Sequence, residues 1–207
     1  MAGEIGDMIR LLGRRTSGNV QKVVWLLEEL GLDYRREDYG RQFGNTDDEA
    51  YLTLNPTGKV PTLVDGEVVV WESNTILRYL CARAGSDLLP PDVAPRARAE
   101  IWMDWLLASL NGPYLEVFRE SKKPEAERIP DLQKIGDALA AQLNILDRHL
   151  SQHSWLAGEH MSVADFALGP IVHRCLNFPV SLPSFDGLAR WHRKLSERPA
   201  FNAIVAE

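Results

Sequence analysis

The spacing of apolar positions changes several times over the first eighty residues. Met8-Ile9-Arg10-Leu11-Leu12 is a short apolar run stopped by Gly13, which predicts a strand. Val20, Val23, Val24, Leu27 and Leu30 then recur at helical spacing, with Gly31 as the closing cap. Leu32 to Tyr39 predicts a second strand, and residues 40–48 are polar and loop-like. Val60–Val64 and Val68–Trp71 are β-rich runs on either side of Asp65-Gly66, a strong hairpin signal. Ser73 to Ala84 returns to a helix, with Ile76, Leu77, Tyr79 and Leu80 as its apolar positions. Alternating strands and helices over this length make a small α/β layer domain.

The pattern changes after Gly85. Asp87 to Pro95 is a proline-rich connector, and everything beyond it reads as helix. Arg96 to Leu110 is one helix. Asp131 to Leu150 is another, with Leu132, Ile135, Leu139, Leu143, Leu146 and Leu150 in one stripe. Ser162-Val163-Ala164-Asp165 is an N-cap pattern in which the acid reaches back. Its helix runs through Phe166 to Leu176, and a last one covers Phe185 to Arg198 before Pro199. The expected organisation is an α/β domain over 1–86, a linker over 87–95 and an all-helical domain over 96–207.

Composition narrows the function classes. The longest apolar run, Val23–Leu27, falls far short of the ~20 residues of a membrane span. The first seven residues lack a basic region and an apolar core, so no secretory leader is expected. A net charge of −6 does not attract nucleic acid or anionic membrane in general. Cys81 and Cys175 alone build neither a disulfide framework nor a Cys-rich zinc site, and no metal is expected. A soluble cytoplasmic protein is the default.

Three segments carry candidate chemistry. Gly13 to Asn19 joins a strand to a helix and offers Arg14, Arg15, Thr16, Ser17 and Asn19. Free N–H groups at a helix start favour an anion, a thiolate among them. Ser17 or Thr16 as a plain N-cap fits the same residues. Asn55-Pro56-Thr57-Gly58-Lys59-Val60-Pro61 enters a strand. It is either a plain turn or, with a cis Val60–Pro61 bond, a place where the Val60 backbone faces outward to pair with a peptide-like ligand. Glu72-Ser73 opens a helix, and either caps it or holds an amino-acid headgroup, with the amides on its carboxylate and Glu72 on its ammonium. His149 and His153 have the i, i+4 spacing of metal ligands but no third partner nearby in sequence, so a place at a helix end fits them better.

Together these motifs resemble the soluble glutathione S-transferase family over nearly the whole chain. Ser17-Gly18-Asn19-Val20 with Lys22-Val23 is similar to the Ser-x-Asn-Val stretch of serine-type members. Asn55 to Leu63 resembles the family's cis-proline segment, Glu72 to Leu80 its glutamyl-binding helix, and Ser162–Asp165 its capping box. The resemblance implies a thioredoxin-like domain (βαβ-α-ββα) followed by an all-helical bundle, and glutathione as co-substrate. It implies Ser17, with Thr16 and Asn19 as alternatives, at the glutathione thiol. It places Lys59, Val60, Pro61, Glu72 and Ser73 along the tripeptide, and Asp104 at the partner subunit's glutathione. Arg14, Arg15, Trp105 and Asn111 are its candidates for the wall around a small hydrophobic electrophile. A homodimer is implied as well. A glutathione-dependent peroxidase or disulfide reductase, or a non-catalytic interaction module of the same fold, are the alternative readings.

Overall fold

In the computed structural model, which describes residues 8–206, the central strand is β1 (Ile9–Leu12). Residues 1–7, on which the expectation about a leader rests, lie outside the described residues. β1 pairs in parallel with β2 (Tyr34–Glu37) across the helix α1 (Gly18–Glu29). On its other side β1 pairs antiparallel with β3 (Thr62–Asp65), which turns at Asp65-Gly66 into β4 (Val68–Trp71). Gly66 takes φ +59°, a conformation that L side chains resist. The sheet order is therefore β2-β1-β3-β4, with β4 on an edge. The short helix α2 (Glu49–Leu54) lies between β2 and β3, and α3 (Ser73–Arg83) follows β4. The α1 stripe of Val20, Val23, Val24 and Leu27 is buried, as its spacing predicts.

The helical part departs from the sequence reading at its first element. The helix starts at Val93 and does not stop at Leu110. α4 (Val93–Trp105) passes through a wide π turn (Leu106–Leu110) into α5 (Asn111–Ser121). Pro113 has no N–H to give, and it falls directly after the turn where the regular ladder is already interrupted. Below this rod lie α6 (Leu132–Leu150), α7 (Val163–Leu176) and α8 (Asp186–Ser196). A short turn, α9 (Pro199–Phe201), leads into a π turn over Asn202–Ala206.

α7 joins the two halves. It packs on α1 and α3, with Phe166 4.2 Å from the Trp25 ring and Phe201 4.8 Å from it on another side. Its N-terminus is a complete capping box: Ser162 accepts from Ala164 N–H, and Asp165 accepts from Ser162 N–H at 2.8 Å. The Asp165 carboxylate also accepts from Trp191 Nε1 at 2.7 Å and from Leu156 N–H at 3.3 Å. Burial nevertheless pushes this carboxyl up to about 6, with the hydrogen bonds opposing the rise. α6 and α8 meet at Gly187, where an added Cβ would stand 2.6 Å from Asp147 O and 2.7 Å from Ser151 N.

Candidate active site

The β1–α1 loop forms the first corner of the site. Gly13 and Arg14 extend the parallel pairing through N–H bonds to Glu37 O and Tyr39 O. The absent side chain at Gly13 lets Val20 and Val60 close in, since a Cβ there would stand 2.5 and 3.3 Å from them. Ser17 is the N-cap of α1, with φ −83° and ψ 124°, and is only 7% exposed. Its backbone carbonyl accepts the first helical bond from Gln21 N–H, yet its side chain makes no capping bond. The hydroxyl and the first amides of α1 therefore remain available to one anion. Thr16 and Asn19 on either side are exposed, and the Thr16 carbonyl is held by Arg174 Nη2 at 2.9 Å.

The Val60 segment is the second corner. The Val60–Pro61 bond is cis. Among the described residues, the Val60 N–H and C=O have no hydrogen-bond partner. The neighbouring Lys59 carbonyl accepts from Tyr51 Oη at 2.6 Å and Asn55 Nδ2 at 2.8 Å. Thr62 Oγ1 closes that network at 2.9 Å from both side chains. Three buried side chains thus hold the loop from behind and leave the Val60 backbone facing out, while the Lys59 side chain is exposed. Sequence reasoning missed the supporting role of Tyr51 and Asn55.

The start of α3 is the third corner. Glu72 has φ +67°, a left-handed conformation unusual for a non-glycine residue and a mark of local constraint. Its exposed side chain caps nothing, and Ser73 is buried behind it. Lys22 of α1 is 1% exposed, with no ion pair or hydrogen bond among the described residues. Burial pushes its ammonium down to about 7, and the nearby Glu72 charge opposes the fall. Asn74 Nδ2 bonds to Met103 O at 3.1 Å and ties the corner to α4. Asp104 is 76% exposed and pairs with Arg78 at 3.7 Å.

Beside Ser17 opens a cleft of about 840 Å³ between the β1–α1 loop, α5, the end of α7 and residues 204–205. Of the residues expected at the electrophile wall, Arg15 lines it and Trp105 and Asn111 do not; Thr16, expected near the thiol, lines it too. Trp105 instead packs edge-on against Trp102, at 5.4 Å between ring centroids. Asn111 starts α5, half-buried. Arg14 lies behind the wall: its Nε is buried without a hydrogen-bond partner, and burial, with Arg41 and Arg174 nearby, holds its guanidinium below the usual value. The rings of Phe118 and Phe178 line one side 6.5 Å apart, with the buried Tyr114 ring 5.8 Å from each. Arg41, Lys122, Arg128 and Arg174 join Arg15 around the opening. These cations come from four distant stretches, so no linear pattern announces them.

Elsewhere, a groove of about 1290 Å³ beside the 86–95 connector and α6 contains none of the three corners. His149 and His153 lie there with rings 4.4 Å apart, and His149 Nε2 meets Leu156 O at 3.0 Å. Among the described residues no cluster of three metal-ligating side chains occurs, and no helix is long and apolar enough to cross a membrane. Cys81 and Cys175 are buried on helices, and burial pushes both thiols up, Cys81 to about 12.

Residues 8–82 match the family described as the glutathione S-transferase N-terminal domain, and residues 129–194 match its C-terminal domain. The chain is 39% identical over 206 residues to glutathione S-transferase GstB of Escherichia coli (strain K12), covering 96% of this chain and 98% of that protein. The disulfide-bond oxidoreductase YfcG of the same strain is 29% identical over 192 residues, covering 88% and 87%. Among solved structures, the theta class glutathione S-transferase of Xanthomonas axonopodis pv. citri with glutathione bound superposes with a TM-score of 0.92. It is 36% identical, covering 96% of this chain and 97% of that one.

Proposed function

The chain belongs to the glutathione S-transferase family and is a glutathione transferase; we propose that Ser17 holds the glutathione thiol as the attacking thiolate. The observation that carries this is the Ser17 hydroxyl, buried at the start of α1 and making no capping bond there. Lowering a thiol pKa by two units requires ~2.7 kcal/mol of preference for the thiolate. One charge-assisted hydrogen bond supplies ~1.5–3 kcal/mol, and the helix end adds to it. Those two together are sufficient.

The rest of the tripeptide follows the other two corners. The γ-glutamyl headgroup goes to Glu72, Ser73 and the first amides of α3. The cysteinyl backbone pairs with the free N–H and C=O of Val60 beside Pro61. Lys59 meets the glycyl carboxylate. The thiolate then attacks an electrophile held in the adjoining cleft. Reading the chain as a peroxidase, disulfide reductase or scaffold is not favoured, since the relative at 39% identity and the glutathione-bound structure at 36% are both named glutathione S-transferases.

A homodimer in the cytoplasm completes the reading. Val68, Val69 and Trp71 on the edge strand β4, and Val93, Ile101 and Leu107 along α4 and its π turn, are large apolar side chains left exposed. Two such surfaces covering each other reciprocally make a two-fold dimer, which brings the exposed Asp104 toward the partner's glutathione. A native mass near 23.3 kDa, instead of twice that, would refute the dimer. The test of the site is thiolate absorbance of bound glutathione against pH, for the native enzyme and Ser17→Ala. Loss of the neutral-pH thiolate in the variant is the expected result. An unchanged titration moves the role to Thr16, Asn19 or the helix end.

A further inference from the structure

We propose that the electrophile taken by this cleft is an anion: a flat, conjugated molecule bearing a carboxylate or sulfonate on the same conjugated frame as its reactive carbon. The inference rests on the reading of the cleft as the second-substrate site, and it replaces a purely hydrophobic substrate with a charged one.

The chain carries 29 acidic against 23 basic residues, yet five basic side chains and no acidic one line this cleft among the described residues. Arg41, Lys122, Arg128 and Arg174 form no ion pair with any described residue. Arg174 is held by neutral acceptors only, at 2.9 Å from Thr16 O and 2.7 Å from Gln21 Oε1. Arg128 bonds only to the Lys123 carbonyl. Behind them the buried Nε of Arg14 has no partner, and Arg41 and Arg174 both repel its charge. A concentration of like charge in a concave wall, four of its five cations without an ion pair among the described residues, focuses a positive potential and draws in an anion.

The wall also has a shape for the rest of the molecule. Arg41, Lys122 and Arg174 stand 5.5, 5.2 and 5.9 Å from the centroid of the Phe118 ring. Phe178 lies 6.5 Å from that ring, so aromatic faces and cations alternate within one small surface. A planar acid satisfies both parts at once, with its ring on Phe118 and Phe178 and its oxygens on the guanidinium groups. The cleft also borders the β1–α1 loop that carries Ser17, so the same molecule meets the thiolate.

The reaction tested is aromatic substitution. The glutathione thiolate sulfur bonds to the ring carbon bearing chlorine, and chloride leaves with the bonding electron pair. The probes are 4-chloro-3,5-dinitrobenzoate and its methyl ester, which differ at the charged group. Each kcat/KM is divided by the uncatalysed rate with glutathione at the same pH. The expected result is at least a tenfold preference for the acid, falling as salt is raised. Lys122→Met and Arg128→Met should each lower it severalfold through the KM of the acid while leaving the KM for glutathione unchanged. A preference for the ester, or no preference, overturns the proposal. So does an equal loss for both probes with a raised glutathione KM, because the cations would then serve glutathione. Calorimetric titration with glutathione alone separates the two readings: binding with no acid preference sinks only this proposal, and no binding sinks both.

Discussion

Asp165 gives the sharpest test of the physical account. Its carboxylate receives the N–H groups of Ser162, Leu156 and Trp191 in a fully buried place. Asp165→Ala strands all three donors. A buried donor left unpaired costs ~1–3 kcal/mol, so the loss should be about 4 kcal/mol or more. Asp165→Asn keeps one oxygen for Trp191 and Leu156 and should cost about 1–2 kcal/mol at pH 7. The two differ further in pH dependence. The folded carboxyl is raised from 3.8 to about 6, so the folded chain retains a proton that the unfolded chain releases between those values. Native stability from this group is therefore highest in acid and falls as pH rises through that window. Relative to Asp165→Asn, the native chain should gain about 2 kcal/mol between pH 7 and pH 4.5. Urea unfolding followed by tryptophan fluorescence at both pH values measures this. An Ala variant costing under ~1 kcal/mol at pH 7, or a native-to-Asn gap that narrows in acid, refutes the reasoning.

Other expectations are quickly checked. Gly187→Ala pushes a methyl group into backbone atoms of α6 and should cost ~2–3 kcal/mol in the same unfolding assay. Lys22→Met removes a buried ammonium whose folded value is about 7; the native chain should gain stability from pH 7 upward and the variant should not, as denaturation midpoints at pH 7 and 9 will report. Cys81 and Cys175 should resist a maleimide in the folded protein and react on addition of denaturant, as mass spectrometry will show.

Much of the fold was legible because its signals are local. Gly31 closes a periodic helix, Asp65-Gly66 turns a hairpin, and the Ser162–Asp165 spacing fixes a helix start. The passage from α4 into α5 was not legible. Gly112-Pro113 breaks an ideal helix, and only the π turn before it lets the rod continue. The site divides in the same way. Ser17, Val60 and Glu72 stand at element ends, where neighbours in sequence determine the chemistry. The cationic wall joins residues near 14, 41, 125 and 174, and a net charge of −6 conceals it. Lys22 lies on α1 away from the Val20, Val24 and Leu27 stripe, where periodicity predicts a solvated charge, and the structure buries it because α1 is covered on all sides.

The wide turn at 106–110 holds one residue more than a regular helix would use over the same length. Winding that turn as ordinary α-helix with every residue kept would rotate everything downstream by about 100°. Phe118 and Ser121 would swing away from the cleft, and α5 would present other side chains in their place. Loss or gain of a single codon in the regular winding of α4 would do the same, redrawing the second-substrate wall without touching the β1–α1 loop, the Val60 segment or the start of α3. In this architecture, acceptance of new substrates and retention of the shared thiol chemistry can diverge through helical register alone.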